Sequence, residues 1–227
     1  MKNYLVIGNP IDHSLSPQLH NYWLKKNNIK AIYNKEKLGI NELENLILKI
    51  REKKINGVNV TIPFKNEIIN YLDKLSFEAK STKSVNTIYL NGDEVTGHNT
   101  DIDGFECAIK DAKFDISNKK VLILGAGGVV PSIIFVLNKL KASQIMLCNR
   151  TRAKAENLKN LFKNLIVLDW GEMPEFDMII NATSVGLKAE DEMKLDFSKI
   201  GKNKFFFDII YNPKETNFLK IAKKFEQ

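Results

Sequence analysis

The stretch Lys120-Val121-Leu122-Ile123-Leu124-Gly125-Ala126-Gly127-Gly128 decides how this chain folds. A short, nearly continuous apolar run meets a cluster of glycines, and a helix-like pattern then continues to about Leu140. A run of that kind is the mark of a strand buried on both faces, as in a parallel sheet covered by helices. Gly125 and Gly127 permit a tight turn and close approach of a pyrophosphate, and the helix behind them offers unpaired N–H groups and its positive dipole end. Glycines also end strands for purely structural reasons, so it is the position between strand and helix that gives the pattern weight. The third small residue of a dinucleotide fingerprint is replaced by Val130, followed by Pro131. Proline is tolerated in a first helical turn, and the valine is expected to push the helix slightly away from the sheet.

Downstream, the pattern repeats. A strand is expected at Gln144–Cys148, with others at Leu165–Leu168, 177–181 and 204–209. Strands separated by helices imply a doubly wound parallel sheet, a Rossmann-like α/β domain spanning 103–227 after a linking helix near 103–113. An NAD site places an acid after the second strand, about 20 residues beyond the glycines. Here that position reads Asn149-Arg150-Thr151-Arg152, with Lys154 just beyond. An acid would repel a 2′-phosphate, whereas a guanidinium grips one through two hydrogen bonds, so NADP is favoured over NAD. The competing structural reading is a surface basic cluster at a helix start.

Upstream, residues 1–102 read as a second α/β domain. Tyr4-Leu5-Val6-Ile7 is a strand stopped by Gly8-Asn9-Pro10, and Ser16-Pro17 opens a helix to about Asn27 with serine as its N-cap. A strand around 31–33 follows, then a helix opened by Asn41 with Leu43, Leu46, Ile47 and Ile50 on one face. Val58-Asn59-Val60-Thr61-Ile62 alternates with period two and ends at Pro63. Beyond a short helical stretch, Asn91-Gly92 between two strand-like runs signals a hairpin.

The polar residues here have structural and chemical readings side by side. Ser14 and Ser16 are placed to bind a carboxylate, although Ser16 alone is a helix cap. Lys65 just past a proline is, by itself, an ordinary solvated lysine. Asn86 and the run Asn99-Thr100-Asp101 are turn and cap residues by default. An aspartate beside a lysine in a cleft is nevertheless able to hold a hydroxyl for proton transfer.

Composition narrows the classes. The 227 residues are 44% hydrophobic and 27% charged, ordinary values for a globular protein, with no apolar run of membrane-span length and no signal-peptide pattern. Cys107 and Cys148 lack a metal-like spacing and suit a reducing cytoplasm. The net charge of +7 is spread along the chain, which fits a small anionic ligand or a phosphorylated cofactor and argues against nucleic acid. No metal site is expected.

Taken in order, eight segments resemble the shikimate dehydrogenase family along essentially the whole chain. They are Ser14-Leu15-Ser16-Pro17, residues 59–65, Ser84-Val85-Asn86-Thr87, Asn99-Thr100-Asp101, Gly125-Ala126-Gly127-Gly128, Asn149-Arg150-Thr151, residues 181–186 and Tyr211-Asn212-Pro213. The resemblance implies NADPH-dependent reduction of 3-dehydroshikimate to shikimate in aromatic amino-acid biosynthesis. It implies Lys65 and Asp101 as the catalytic pair, with the lysine the favoured proton donor. Ser14, Ser16 and Tyr211 would hold the substrate carboxylate, and Thr61, Asn86 and Asp101 the ring hydroxyls. Gly125, Ala126, Gly127 and Gly128, with Asn149, Arg150, Thr151, Lys154 and Thr183, would bind NADP. Two domains would form a cleft that closes over a small-molecule substrate and the cofactor, in a monomer or homodimer. A Schiff-base lysine needs an apolar pocket, and a neighbouring carboxylate favours the ammonium instead.

Relatives also continue with a glycine turn, a Met-Leu pair, a substrate-binding glutamine and a last helix packed on the first domain. This chain stops at Gln227, within a helix expected from about Glu215. Gln227 does not occupy the matching place, and the expectation is that the segment is omitted from the sequence. A quinate or dual shikimate/quinate dehydrogenase is one rival reading, and a non-catalytic metabolite sensor of the same fold is the other. His13 and His98 neighbour site segments and are able to edge the substrate pocket, although loop histidines are more often solvated.

Overall fold

The computed structural model describes residues 1–188 and 190–224; Gln227 lies outside the described residues. The chain forms two compact units, Met1–Ile102 and Asp103–Gln227.

In the first unit, β1 (Lys2–Gly8), α1 (Ser16–Lys26), β2 (Ala31–Lys37), α2 (Leu43–Arg51) and β3 (Gly57–Val60) come in that order. β4 (Lys74–Leu75), α3 (Phe77–Thr82), β5 (Thr87–Asn91) and β6 (Glu94–His98) follow. The six-stranded sheet has the order β2-β1-β3-β5-β6-β4, with β1 parallel to both β2 and β3 and β5 antiparallel to β3 and β6. Period-two patterning sorts its faces. Leu5, Ile7, Val58 and Val60 point into one core with Leu43, Leu46, Ile47 and Ile50 of α2. Burying each of these side chains contributes roughly 2 kcal/mol before chain entropy is subtracted. Val6 and Tyr33 lie in a separate cluster with Ile11, packed by Leu24 of α1.

In the second unit, α4 (Asp101–Asp111) leads from the first unit into β7 (Lys120–Leu124), α5 (Val130–Lys139), β8 (Gln144–Cys148) and α6 (Arg152–Leu161). β9 (Leu165–Leu168), β10 (Met178–Asn181), β11 (Phe205–Asp208) and α7 (Asn217–Ala222) complete it. All four strand pairings are parallel, in the order β9-β8-β7-β10-β11. This is the Rossmann arrangement, two halves wound outward from the first strand. Leu122, Leu124, Met146 and Cys148 face a core shared with Phe176 and Phe218, while Val121 and Ile123 point the other way and are also fully buried. Burial pushes the Cys148 thiol up to about 11, so it packs as a neutral apolar side chain. No helix among the described residues is long and apolar enough to cross a membrane.

Several local expectations shift. Leu15, not Ser16, occupies the N-cap of α1, and the Ser14 hydroxyl accepts from the Ser16 N–H at 3.3 Å. A 3₁₀ turn at Ile40–Glu42 precedes α2, so Asn41 opens nothing; the Glu42 carboxylate takes the Gly39 N–H at 2.6 Å. Pairing along the whole of β1 extends β2 to Lys37. The hairpin turn is Gly92-Asp93, one residue later than expected, because Asn91 pairs with Glu94 and Gly92 adopts φ +62°. The short β4 carries no sequence signal of its own.

Within the second unit, Glu106 of α4 ties two helices together. Its carboxylate accepts from Lys110 at 2.7 Å and from Lys139, at the end of α5, at 2.6 Å. The Lys110 hydrogen bond and then that of Lys139 hold the Glu106 carboxyl below its usual value. A depressed carboxylate stabilises the fold above its unfolded pKa, and that contribution disappears as pH falls through the folded value. Glu106→Gln should therefore lower the unfolding free energy by about 1 kcal/mol at pH 7, with the gap closing at a pH low enough to protonate the Glu106 carboxylate. Denaturant titration of both proteins at the two pH values measures this.

Candidate active site

β1 and β3 run parallel, so their C-terminal ends deliver two loops to the same end of the sheet. The loops are stitched together: Asn9 N–H donates to Ile62 O at 2.9 Å and Thr61 N–H to Ile7 O at 2.9 Å. A Cβ on Gly8 would lie 2.6 Å from the Thr61 methyl, so glycine is needed for this approach. The first loop carries Ser14 and Ser16, the second Thr61 and Lys65. Among the described residues the hydroxyls of Ser16 and Thr61 have no partner.

At the edge of this loop pair, Lys65 Nζ lies 2.6 Å from Asp101 Oδ2, with side chains 13% and 20% exposed. The other carboxylate oxygen, Asp101 Oδ1, accepts from Asn86 Nδ2 at 2.8 Å. The second Asn86 amide hydrogen goes to Thr100 Oγ1 at 2.9 Å, and Asn86 Oδ1 accepts the Thr100 N–H at 2.9 Å. Fully buried Asn99 accepts the Asp101 N–H at 2.9 Å and donates to Ser84 O and Thr82 Oγ1 at 2.9 and 3.1 Å. Lys65 is fixed from its backbone as well, its carbonyl accepting from Val85 N–H at 2.8 Å. Residues far apart in sequence thus meet as an ammonium–carboxylate pair with a braced carboxylate. Asn86, expected to face a ring hydroxyl, is engaged first with Asp101 itself.

Sequence reasoning missed Asn99 and Thr100 as supports, and also Asn59, whose amide donates to Asn86 O at 3.3 Å, and Tyr33, whose phenol donates to Asn59 Oδ1 at 2.6 Å. Asn59 alternates out of the core that holds Val58 and Val60, and that polar residue in an apolar strand was the available signal. His98 serves elsewhere, with Nδ1 2.7 Å from Ser76 Oγ at the start of α3, while His13 is solvent-exposed.

In the second unit, the parallel sheet reverses its winding between β7 and β10, and the loops after these strands meet there. Gly125 has φ +103°, and a Cβ on it would come 2.8 Å from Ala182 O and 2.9 Å from the Thr183 methyl. Among the described residues the backbone N–H groups of Ala126 and Gly127 have no acceptor, and α5 starts without a side-chain cap. Gly128 is half-buried in the same turn, and Val130 is completely buried at the first position of α5. This is a cradle of donors at a helix start that admits no side chain at Gly125, and it fits an anionic pyrophosphate.

The β10 loop is shaped by buried Asn181, which donates to Asp208 Oδ1 and Val185 O, both at 3.1 Å. Its Oδ1 accepts the Thr183 hydroxyl at 2.7 Å. With the Thr183 oxygen also accepting Val185 N–H at 3.0 Å, this hydroxyl shapes the turn and only the methyl faces Gly125.

Beyond β8, the Asn149 side chain closes its loop by donating to Thr151 O at 2.8 Å. Arg152 is committed to Asp169 and to Glu156, the latter at 3.2 Å. Exposed Arg150 and Lys154 have no carboxylate partner among the described residues, leaving two cations free at this edge. Tyr211 is 69% exposed in the segment after β11.

Comparison with known proteins matches residues 6–88 to the shikimate dehydrogenase substrate-binding domain and residues 106–218 to the shikimate/quinate 5-dehydrogenase domain. The chain belongs to the shikimate dehydrogenase family. It is 56% identical to the NADP(+) shikimate dehydrogenase of Pelagibacter ubique over 99% of this chain and 84% of that one. The structure of shikimate dehydrogenase from Aquifex aeolicus superimposes with TM-score 0.89 at 38% identity, covering 99% of this chain and 84% of that one. The enzyme from Thermus thermophilus, solved with NADP(H) and shikimate, gives TM-score 0.89 at 30% identity over 100% and 87% of the two chains.

Gly125 and Gly127 carry unequal constraints, since a Cβ at Gly127 would meet only Ala182 O at an ordinary 3.8 Å. Gly125→Ala should cost about 2 kcal/mol from its positive φ and the backbone clash, against less than about 1 kcal/mol for Gly127→Ala. Equal losses in chemical denaturation would contradict this reading of the cradle.

Proposed function

We propose that this chain is an NADP-dependent shikimate dehydrogenase that reduces 3-dehydroshikimate to shikimate. The observation that carries the proposal is the Lys65–Asp101 pair, 2.6 Å apart and braced by Asn86, in a member of this family. In the proposed mechanism the Lys65 ammonium donates a proton to the substrate carbonyl oxygen as the ring carbon is reduced. Asp101 keeps the lysine oriented and accepts a hydrogen bond from a ring hydroxyl. Positioned proton transfer of this type contributes roughly 10²–10⁴-fold. Ser14 and Ser16 bind the carboxylate with Tyr211, and Thr61 and Asp101 receive the ring hydroxyls, one of which reaches Asn86 by displacing Thr100 from its amide.

NADPH supplies the hydride when bound, and the protein supplies orientation and charge. The Gly125–Gly128 turn, with the free N–H groups of Ala126 and Gly127, takes the pyrophosphate. Arg150 and Lys154 neutralise the 2′-phosphate on a loop shaped by Asn149 and Thr151, and Thr183 closes the opposite wall with its methyl. The free thiols Cys107 and Cys148 support a reducing, cytoplasmic setting.

A spectrophotometric assay with shikimate or quinate, each with NADP or NAD, tests the proposal. The expected result is NADP reduction with shikimate, lowered roughly 10²–10⁴-fold by Lys65→Ala. Faster turnover with quinate would shift the assignment to the quinate branch named with the family, and a Lys65→Ala variant as active as wild type would remove the mechanism. Separately, Arg150→Ala should raise KM for NADP about ten-fold while leaving NAD-dependent turnover nearly unchanged, because only NADP carries the phosphate.

A further inference from the structure

Behind the Lys65–Asp101 pair, a line of side-chain hydrogen bonds runs through three strands of the first sheet. It starts at Tyr33 on β2, whose ring is buried against Val6 and Ile11 and stacks on His20 at 4.2 Å. The phenol donates to Asn59 Oδ1 on β3 at 2.6 Å. Burial raises the phenol's pKa, which keeps it protonated and a donor. With its oxygen taken, the Asn59 amide directs its hydrogens to Asn86 O at 3.3 Å and Thr87 Oγ1 at 3.1 Å. Thr87 is the register partner of Asn59 across the β3–β5 pair. Having accepted from Asn59, the Thr87 hydroxyl turns its single hydrogen to Asn86 Oδ1 at 3.0 Å. That leaves Asn86 Nδ2 to face Asp101 Oδ1 at 2.8 Å.

Direction is the important property of this line. A side-chain amide is nearly symmetric in shape, and only its hydrogen-bond partners decide which end is oxygen. Rotating the Asn86 amide by half a turn would set its oxygen against the Asp101 carboxylate, and an acceptor facing an acceptor forfeits the bond. Thr100 marks the oxygen end through its backbone N–H, 2.9 Å from Oδ1, whereas its hydroxyl is both donor and acceptor and lies near both ends of the amide, 2.9 Å from Nδ2 and 3.1 Å from Oδ1. The Thr87 hydroxyl, polarised by Asn59 and Tyr33, adds a second donor on the oxygen side at 3.0 Å, the only side-chain one there among the described residues with no role as acceptor from the amide.

We infer that Tyr33, Asn59 and Thr87 are positioning residues that, together with the Thr100 N–H, hold the Asn86 amide in place and through it the Asp101 carboxylate against Lys65. None of the three needs to touch substrate. The inference rests on the proposed dehydrogenase reaction for its kinetic readout, but not for its structural one.

The test uses Tyr33→Phe, Thr87→Val and Thr87→Ser in the full chain, with two readouts. Steady-state kinetics with shikimate and NADP should show kcat lowered about ten-fold by Tyr33→Phe and by Thr87→Val, with KM for shikimate within about two-fold, because orientation at the reacting pair is lost while carboxylate binding is kept. Thr87→Ser retains the hydroxyl and should restore kcat. In parallel, NMR of protein labelled with ¹⁵N-asparagine should show side-chain amide exchange at Asn86 accelerated about ten-fold in the first two variants and unchanged in the serine variant. Wild-type turnover with unaltered kcat and exchange in Tyr33→Phe and Thr87→Val would overturn the inference while leaving the enzyme assignment standing. So would a serine variant as impaired as the valine one, since shape rather than the hydroxyl would then be responsible. A wild-type chain silent toward shikimate but showing the exchange pattern would remove the enzyme assignment and retain the positioning line.

Discussion

The first unit is organised around one carboxylate. Asp101 has each oxygen assigned to a different donor, Lys65 on one side and Asn86 on the other, and its backbone N–H assigned to Asn99. An ammonium–carboxylate pair this shielded from water attracts more strongly than a surface pair, for which about 0–1 kcal/mol is usual. Losing one partner is correspondingly worse, because a half-buried charge remains uncompensated. The surroundings therefore have to hold both members in register. The β3–β5–β6 ladder supplies Asn86, the loop following β6 supplies Asn99 and Asp101, and the residues ending α3 receive the Asn99 amide. Elements distant from the pair are thereby fixed by the need to hold it in register.

A different constraint shapes the second unit. A parallel sheet wound outward from its first strand sends the connections after β7 and β10 to opposite sides, so the winding reverses between these two neighbouring strands. At Gly125 those loops approach so closely that the backbone of one occupies the place of a side chain on the other. Asn181 and Asp208 then hold the β10 loop in shape from below, and Asp208 extends the network to the Thr216 hydroxyl at 2.6 Å. The cradle consequently presents main-chain donors with little freedom to collapse, while Arg150 and Lys154 stand at the outer edge with no carboxylate partner among the described residues. Arg152, although adjacent, is neutralised by Asp169 and Glu156 and contributes to α6 instead.

How far these arrangements could be read from sequence depended on the range of the interactions. β7, β8 and β9 are local apolar runs between clear breakers, and their limits were legible. So were the glycine turn and the basic segment behind β8, because spacing along the chain carries their chemistry. Cap and turn positions slipped by a residue where a partner from further along competes, the Glu42 side chain at Gly39 and the backbone of Glu94 by pairing with Asn91. The two-residue β4 depends wholly on β6 to be a strand. For the site, residue types were legible and partnerships were not. Asn86 reads as a polar loop residue until the fold places it against Asp101, and Thr183 reads as a ligand-facing hydroxyl until Asn181 takes its hydrogen.

These partnerships also bear on how one pair of side chains handles a ketone and an alcohol. Lys65 has three hydrogens, of which the 2.6 Å contact with Asp101 uses one, so two remain for an oxygen placed beside it. Each Asp101 oxygen already accepts one bond and retains a further lone pair. In the proposed reaction a carbonyl oxygen, which only accepts, is directed to Lys65. A hydroxyl is able to accept from Lys65 and donate to Asp101 at once. Asn86 adds no free donor in this arrangement, since both its hydrogens are engaged, and a hydroxyl taking one would have to displace Thr100 or loosen Asp101. The hydrogen-bond polarity thus favours a hydroxyl that donates to the carboxylate over one that accepts from the amide. Oxygen position on the ring is then set by which atoms can donate, a tighter criterion than the volume of the site alone.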